Sequence, residues 1–218
     1  AMKLAAGEVL NLPRAYAPVP GCTTSAILTG GNNRLWIFSL AAQTDISAEI
    51  FPYHKLLVAV QGKLEVYGKT GSMATLGSGE SCITPTDIPV GMRSDVDTVY
   101  LELEAGRDLT MNKVVEAGKV FRLADLVPYQ DGKIVNMDVA HNEKMKFVVM
   151  SFGAGTGLSE HAAPGEALIF ALDGEGIIGY EGQEHVLKAG QQFHFAKGGL
   201  HYVKAEKTFK MALLLTLE

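Results

Sequence analysis

The chain has 218 residues, of which 47% are hydrophobic and 20% are charged, and its formal net charge at pH 7 is −5. This composition is typical of a globular protein and excludes an intrinsically disordered chain. The 19 Lys and Arg residues are dispersed among 24 Asp and Glu residues, so no basic face or run predicts a nucleic-acid partner.

The N-terminal residues mix Lys3 and Glu8 with small side chains and lack the apolar stretch of a secretory signal. The longest apolar runs, such as residues 56–60, are far shorter than the roughly 20 residues that cross a bilayer. Cys22 and Cys82 show no local pairing pattern, which favours reduced thiols. We therefore expect a cytoplasmic protein without a membrane partner.

Two consecutive copies of one unit become visible when the chain is aligned with itself at an offset of 111 to 112 residues. The matching landmarks keep their order along the chain, and they are residues 8–12 with 119–123, 56–62 with 168–174, and 99–103 with 211–215. The tandem duplication predicts an N-terminal domain at residues 1–106, a linker at 107–118 and a C-terminal domain at 119–218.

Each copy consists of short apolar or alternating runs that are interrupted by Gly, Asp-Gly, Gly-Gly or Pro. The 24 glycines suit tight turns between strands, because such turns require a positive φ. Apolar residues at helical spacing are missing apart from the short segment 123–127. The pattern predicts an all-β protein built from antiparallel barrels or sandwiches.

The second copy carries two glycine- and histidine-containing motifs. The first contains Gly157, Ser159, His161, Glu166 and Gly174, and the second contains Gly190 and residues 196–201, which end in His201. On these motifs the second copy resembles the cupins, which are small jelly-roll (double-stranded β-helix) barrels. Residues 164–176 are especially similar to small two-domain bacterial cupins. The resemblance implies two tandem cupin barrels that pair as a homodimer.

The same resemblance implies a metal site, although Ser159 stands where the family has its first histidine. The remaining set is His161, Glu166 and His201, which is a combination that binds Fe, Mn, Ni or Zn with open coordination positions. Because residues two apart on a strand share a face, we expect Ser159 to point into the same pocket as His161. Two departures affect the geometry: Ala196 replaces the usual proline, and the stretch from Glu166 to Gly174 is one residue longer than usual.

Several roles remain open for these residues. Glu166 is either a metal ligand, a general base or a solvated turn residue whose place is taken by a water or substrate oxygen. His194, which aligns with Ile83, is either a further pocket residue or a hydrogen-bonded core histidine. His161 and His201 can also be ordinary structural histidines.

The first copy serves as an internal control. Glu49, His54 and Val90 align with His161, Glu166 and His201, so the metal set is broken there and any metal chemistry is expected in the C-terminal barrel alone.

Two functions follow. One is a metal-dependent enzyme of the oxygenase, isomerase or lyase type that acts on a small polar molecule in the barrel mouth. The other is a non-catalytic cupin dimer that binds a small ligand, or is purely structural, without metal.

Overall fold

Short antiparallel strands joined by tight turns make up most of the chain, and the all-β prediction is confirmed. The computed structural model describes residues 1–217. Their strands form two units: residues 12–122, called here the N-terminal barrel, and residues 1–11 together with the chain from Leu123 onward, called the C-terminal barrel. None of the helices described in residues 1–217 is long and apolar enough to span a bilayer.

The N-terminal barrel opens with a single helical turn, α1 (Leu12–Ala15). Its strands are β2 (Thr23–Thr29), β3 (Leu35–Leu40), β4 (Thr44–Ile50), β5 (His54–Gln61), β6 (Lys63–Gly68), β7 (Gly71–Gly77), β8 (Glu80–Ile83), β9 (Pro89–Ser94), β10 (Thr98–Gly106), β11 (Thr110–Met111) and β12 (Phe121–Arg122). Apart from β11, which belongs to neither, these strands form a sheet of order β12-β8-β5-β10-β3-β2 and a smaller one of order β4-β9-β6-β7. These sheets enclose a core that includes Leu57, Leu64, Val66 and Tyr100.

The C-terminal barrel contains β1 (Val9–Leu10), a 3-10 turn (Leu123–Asp125), β13 (Ile134–His141), β14 (Met145–Phe152), β15 (Thr156–Ala162), β16 (Glu166–Tyr180), β17 (Gln183–Lys188), β18 (Gln192–Phe195), β19 (Leu200–Ala205) and β20 (Phe209–Thr216). The long strand β16 serves both sheets. Its first half pairs with β18 and β20, and its second half pairs with β17 and β19. Phe152, Phe193, Phe195 and Phe209 are fully or almost fully buried in the core between them.

The two barrels have the same strand order, with β16 in the place of both β5 and β6, in agreement with the predicted jelly-roll architecture. Even an irregularity of register is shared. In β4 it lies between Ile46 and Glu49, opposite β9. In β15 it lies between Leu158 and His161, opposite β19. Both are β-bulges in which two residues of one strand face a single residue of the other.

The lead-in strands give the units different bounds from the predicted ranges. Strand β1, near the N-terminus, pairs with β18 and completes the sheet of the C-terminal barrel. The equivalent strand of the second copy, β12, pairs in the same register with β8 of the N-terminal barrel. Sequence periodicity identifies a lead-in strand but carries no information on which sheet edge it joins.

Candidate functional site

Two histidines of the C-terminal barrel lie directly opposite each other on neighbouring strands. His161 of β15 pairs with His201 of β19, and their ring centroids are 4.3 Å apart at an interplanar angle of 60°. His201 is buried, with 5% of its surface exposed, whereas His161 is exposed. The pair therefore extends from the barrel interior to the solvent.

Both imidazoles are held by their Nδ1 atoms. His161 Nδ1 is 2.9 Å from the carbonyl oxygen of Ser159, and His201 Nδ1 is 3.0 Å from that of Gly199. A carbonyl oxygen only accepts hydrogen bonds, so each Nδ1 carries the proton and each Nε2 keeps a free lone pair. The His201 ring also stacks on Phe195 at a centroid distance of 4.0 Å. This anchoring fixes the orientation in which a histidine binds a metal or accepts a hydrogen bond.

The electrostatic surroundings keep His201 neutral. Burial lowers the pKa of His201, and the neighbouring His161 lowers it further, while the hydrogen bond to Gly199 acts in the opposite direction. The net pKa lies below the ordinary value of 6.5. At neutral pH the ring is therefore an acceptor or ligand and not a cation.

The depressed pKa makes the stability of the barrel sensitive to acid. The unfolded chain takes up a proton at His201 below about pH 6.5, whereas the folded chain takes it up only at lower pH, so stability falls as the pH drops through this window. We expect the urea-unfolding free energy to decrease from about pH 8 to about pH 5 and to decrease less in His201→Phe, which keeps an aromatic ring against Phe195. Equal pH slopes in the two proteins would contradict the assignment.

Glu166 does not join the histidine pair. One carboxylate oxygen, Oε1, accepts a hydrogen bond from the backbone N–H of Met2 at 2.9 Å. The other, Oε2, accepts one from the N–H of Lys197 at 2.8 Å and contacts His194 Nε2 at 3.2 Å. Burial raises the pKa of the Glu166 carboxyl, but these three hydrogen bonds together lower it below its usual value. The carboxylate is thus ionised and its hydrogen-bonding capacity is used by the protein itself.

Strand alternation explains where Glu166 points. Ala167, Ile169 and Ala171 belong to the barrel core, and since successive side chains of a strand face opposite sides, Glu166 lies on the other face of β16. The inward position at the start of this strand is therefore occupied by the methyl group of Ala167. This one-residue displacement accounts for the extra residue between Glu166 and Gly174.

The other two predicted pocket residues are also separate from the pair. His194 is buried on the face of β18 opposite Phe195, between Glu166 and the carbonyl oxygen of Leu4, which lies 3.1 Å from Nδ1. Ser159 lines an open groove of about 550 Å³ that neither His161 nor His201 lines. The bulge between Leu158 and His161 breaks the strict alternation on which the shared face was predicted.

These placements decide how well the residues fit a divalent metal. The two Nε2 lone pairs fit, because neutral imidazole nitrogen is a common ligand for first-row transition ions. The carboxylate does not fit, since Glu166 faces the N-terminal segment. Among residues 1–217 no group of three or more His, Cys, Asp or Glu side chains is arranged to hold a metal ion.

The N-terminal barrel has a different polar interior, which the sequence analysis missed. Lys55 and Glu102 form an ion pair of 3.4 Å with side chains only 10% and 6% exposed, and they line one cavity together with Tyr100. All three lie in runs that otherwise read as buried strands. The sequence signal that could have found Lys55 is the alternation of side chains along a strand. Lys55 shares its strand face with Leu57 and Ala59 and therefore points into the core.

Comparison with known proteins supports the fold assignment. Residues 148–217 match the family model of the cupin domain. A search of curated proteins gives no match for this chain. The solved structure of a cupin 2 conserved barrel domain protein from Leptotrichia buccalis is 26% identical, covers 99% of both chains and superposes with a TM-score of 0.87.

More distant structures share the fold alone. AerE from Microcystis aeruginosa is 16% identical, with 92% of this chain and 95% of that chain covered and a TM-score of 0.56. Salicylate 1,2-dioxygenase from Pseudoaminobacter salicylatoxidans is 12% identical, with coverage of 94% and 76% and a TM-score of 0.63. The chain thus has the cupin fold, and its match to the cupin domain family lies in the second copy.

Proposed function

We propose that this cupin-fold chain is a two-barrel cupin whose C-terminal barrel binds a small polar molecule at its mouth, at the imidazoles of His161 and His201. The supporting observation is the pair of anchored imidazoles, whose Nδ1 atoms bond to the backbone and whose Nε2 atoms remain free to accept. A hydroxyl or amine group of a ligand donates to such nitrogens, and the stacked ring of Phe195 provides an apolar wall beside them.

A divalent ion is the second candidate occupant of the same pair. Fe, Mn, Ni and Zn all accept imidazole nitrogen, and His161 and His201 would hold the ion as neutral ligands. Such an ion would supply Lewis acidity at the mouth of the barrel. In this proposal Glu166 is neither ligand nor general base, because its oxygens bind Met2, Lys197 and His194.

The metal content of the purified protein shows whether the histidine pair holds a divalent ion or only a polar ligand. We expect protein that is purified without chelator and dialysed against Zn or Ni to retain the ion, and His161→Ala and His201→Ala to lose most of it. Glu166→Gln is the matched control and is expected to retain metal like the unchanged protein, because the carboxylate faces the other side of β16. Elemental analysis by mass spectrometry provides the readout.

Two results would change the assignment. Loss of metal in Glu166→Gln, with the fold intact by circular dichroism, would show that the carboxylate turns toward the histidines and restores a three-ligand site. No retained metal in the unchanged protein would remove the ion from the proposal. A non-catalytic function without metal would then be the remaining proposal. It is favoured by Ala167, whose methyl group supplies no ligand at the inward strand position.

A further inference from the structure

The N-terminal barrel contains a partly enclosed cavity of about 180 Å³. Its walls are mainly apolar and aromatic and include Phe38, Phe51 and Met92. An engineered apolar cavity of about 150 Å³ binds benzene, so the volume is sufficient for a single-ring organic molecule. The space lies at the position that corresponds to the interior of the C-terminal barrel below its histidine pair.

One wall of this cavity carries an unused hydrogen-bond donor. Tyr100 is completely buried, and its hydroxyl group has no hydrogen-bond partner. Its ring is fixed by stacking on Phe38 at a centroid distance of 5.2 Å. Burial, with the nearby charge of Glu102, raises the pKa of Tyr100 well above 10, so the hydroxyl stays protonated. A buried hydroxyl without a partner is costly, and folded proteins rarely retain one without a reason.

The opposite charges in the cavity already neutralise each other. Lys55 Nζ lies 3.4 Å from Glu102 and 3.5 Å from the centroid of the Phe51 ring. Burial raises the pKa of Glu102, and the attraction of Lys55 partly offsets this increase. The ammonium group has three N–H donors, so at least one is left for a ligand after the contacts with the carboxylate and the ring.

The C-terminal barrel shows that the fold does not need these groups. The strand pairings place Ala167, Met211 and Leu213 at the positions of Lys55, Tyr100 and Glu102. The same architecture is therefore built with apolar side chains at these three positions. Replacing a buried ion pair by apolar residues is often neutral or stabilising, so the polar set of the first barrel is not explained by stability.

We propose that the cavity of the N-terminal barrel binds a small neutral single-ring molecule through hydroxyl or carbonyl oxygens, which accept hydrogen bonds from Tyr100 Oη and Lys55 Nζ. A hydroxyl group of the same ligand donates to the Glu102 carboxylate. A charged ligand is disfavoured because the buried pair is already neutral and an added charge would remain uncompensated. Glu49, an exposed carboxylate that lines the same cavity, further disfavours anions. This site is independent of the one proposed for the C-terminal barrel.

Calorimetric titration with three probes of similar size tests the site and its chemistry. Resorcinol carries two neutral hydroxyl groups, benzoate carries a charge, and toluene has no polar group. We expect saturable binding of resorcinol, with weaker binding of benzoate and toluene. Tyr100→Phe is expected to weaken resorcinol binding about tenfold. Tyr180→Phe, the matched change in the C-terminal barrel, is expected to leave it unchanged.

Stability provides a second readout that does not depend on the probe. Since the Tyr100 hydroxyl has no partner, Tyr100→Phe should melt at the same temperature as the unchanged protein or higher. A clear drop in melting temperature would show that the hydroxyl serves the fold. Absence of resorcinol binding, tighter binding of benzoate, or equal binding by Tyr100→Phe would each overturn the proposal.

Discussion

Replacing Lys55 with methionine is expected to lower the free energy of unfolding by about 3 kcal/mol. The change leaves the Glu102 carboxylate buried in the N-terminal barrel without its partner, and an uncompensated buried charge is strongly destabilising. The double variant Lys55→Met with Glu102→Leu should recover most of this loss, because it restores the kind of apolar interior that the C-terminal barrel has. Urea unfolding at pH 7, followed by circular dichroism, measures each value.

An exposed ion pair in the same barrel provides the control. Lys119 lies 2.8 Å from Glu116, and both side chains are largely exposed, at 72% and 68%. Lys119→Met should therefore leave the unfolding free energy almost unchanged, because exposed ion pairs contribute little to stability. A loss in the double variant as large as in Lys55→Met alone would show that the pair itself stabilises the barrel and would contradict a role in ligand binding.

Glu166→Ala is expected to destabilise the C-terminal barrel by about 3 kcal/mol, because it leaves two backbone N–H groups and His194 without their shared acceptor. Glu166→Gln keeps one acceptor oxygen and should cost less. Hydrogen exchange should quicken first at the amides of Val9 and Leu10, since the Met2 contact tethers the segment that leads into β1. Glu184→Ala removes an exposed carboxylate and should change stability little.

The pH dependence gives an independent check on Glu166. Its folded pKa is depressed below the ordinary value of 4.5, so its stabilising contribution is present above about pH 4.5 and is lost as the pH falls through the folded pKa. The free energy of unfolding of the unchanged protein should therefore fall as the pH drops below about 4.5. In Glu166→Gln, which has no titrating carboxyl at this position, the fall should be less steep. A slope that is unchanged in Glu166→Gln would contradict the assigned hydrogen bonds.

The architecture was accessible from the sequence because its signals are local and repeated. Gly62 and Gly174, matched at an offset of 112, both adopt positive φ, at 82° and 68°, which glycine allows without strain. Gly62 separates β5 from β6, and Gly174 lies where β16 passes from its pairing with β20 to its pairing with β17. His161 and His201 could be singled out because they belong to two recognisable motifs, and the structure places them opposite each other on paired strands. Their role as a site stays a prediction.

The rest of the site depends on register, which local pattern does not give. A bulge of one residue moved Ser159 away from the pocket predicted for it, and a one-residue displacement placed Ala167 where Glu166 was expected to point inward. Since side chains alternate with a period of two, one residue is enough to reverse a face. The pairing of Lys55 with Glu102 joins two different strands, and the sequence does not show that they are neighbours.

The pairing of strands β1 and β12 gives a reason why the two copies stay fused in one chain. Each copy carries in its own sequence the lead-in that closes the sheet edge of the unit formed mainly by the other copy. Splitting the gene between residues 118 and 119 would leave each product with an open edge and a strand that belongs elsewhere. Tandem fusion keeps the two copies in equal numbers and at a high effective concentration for each other, so loss or shortening of either copy impairs both.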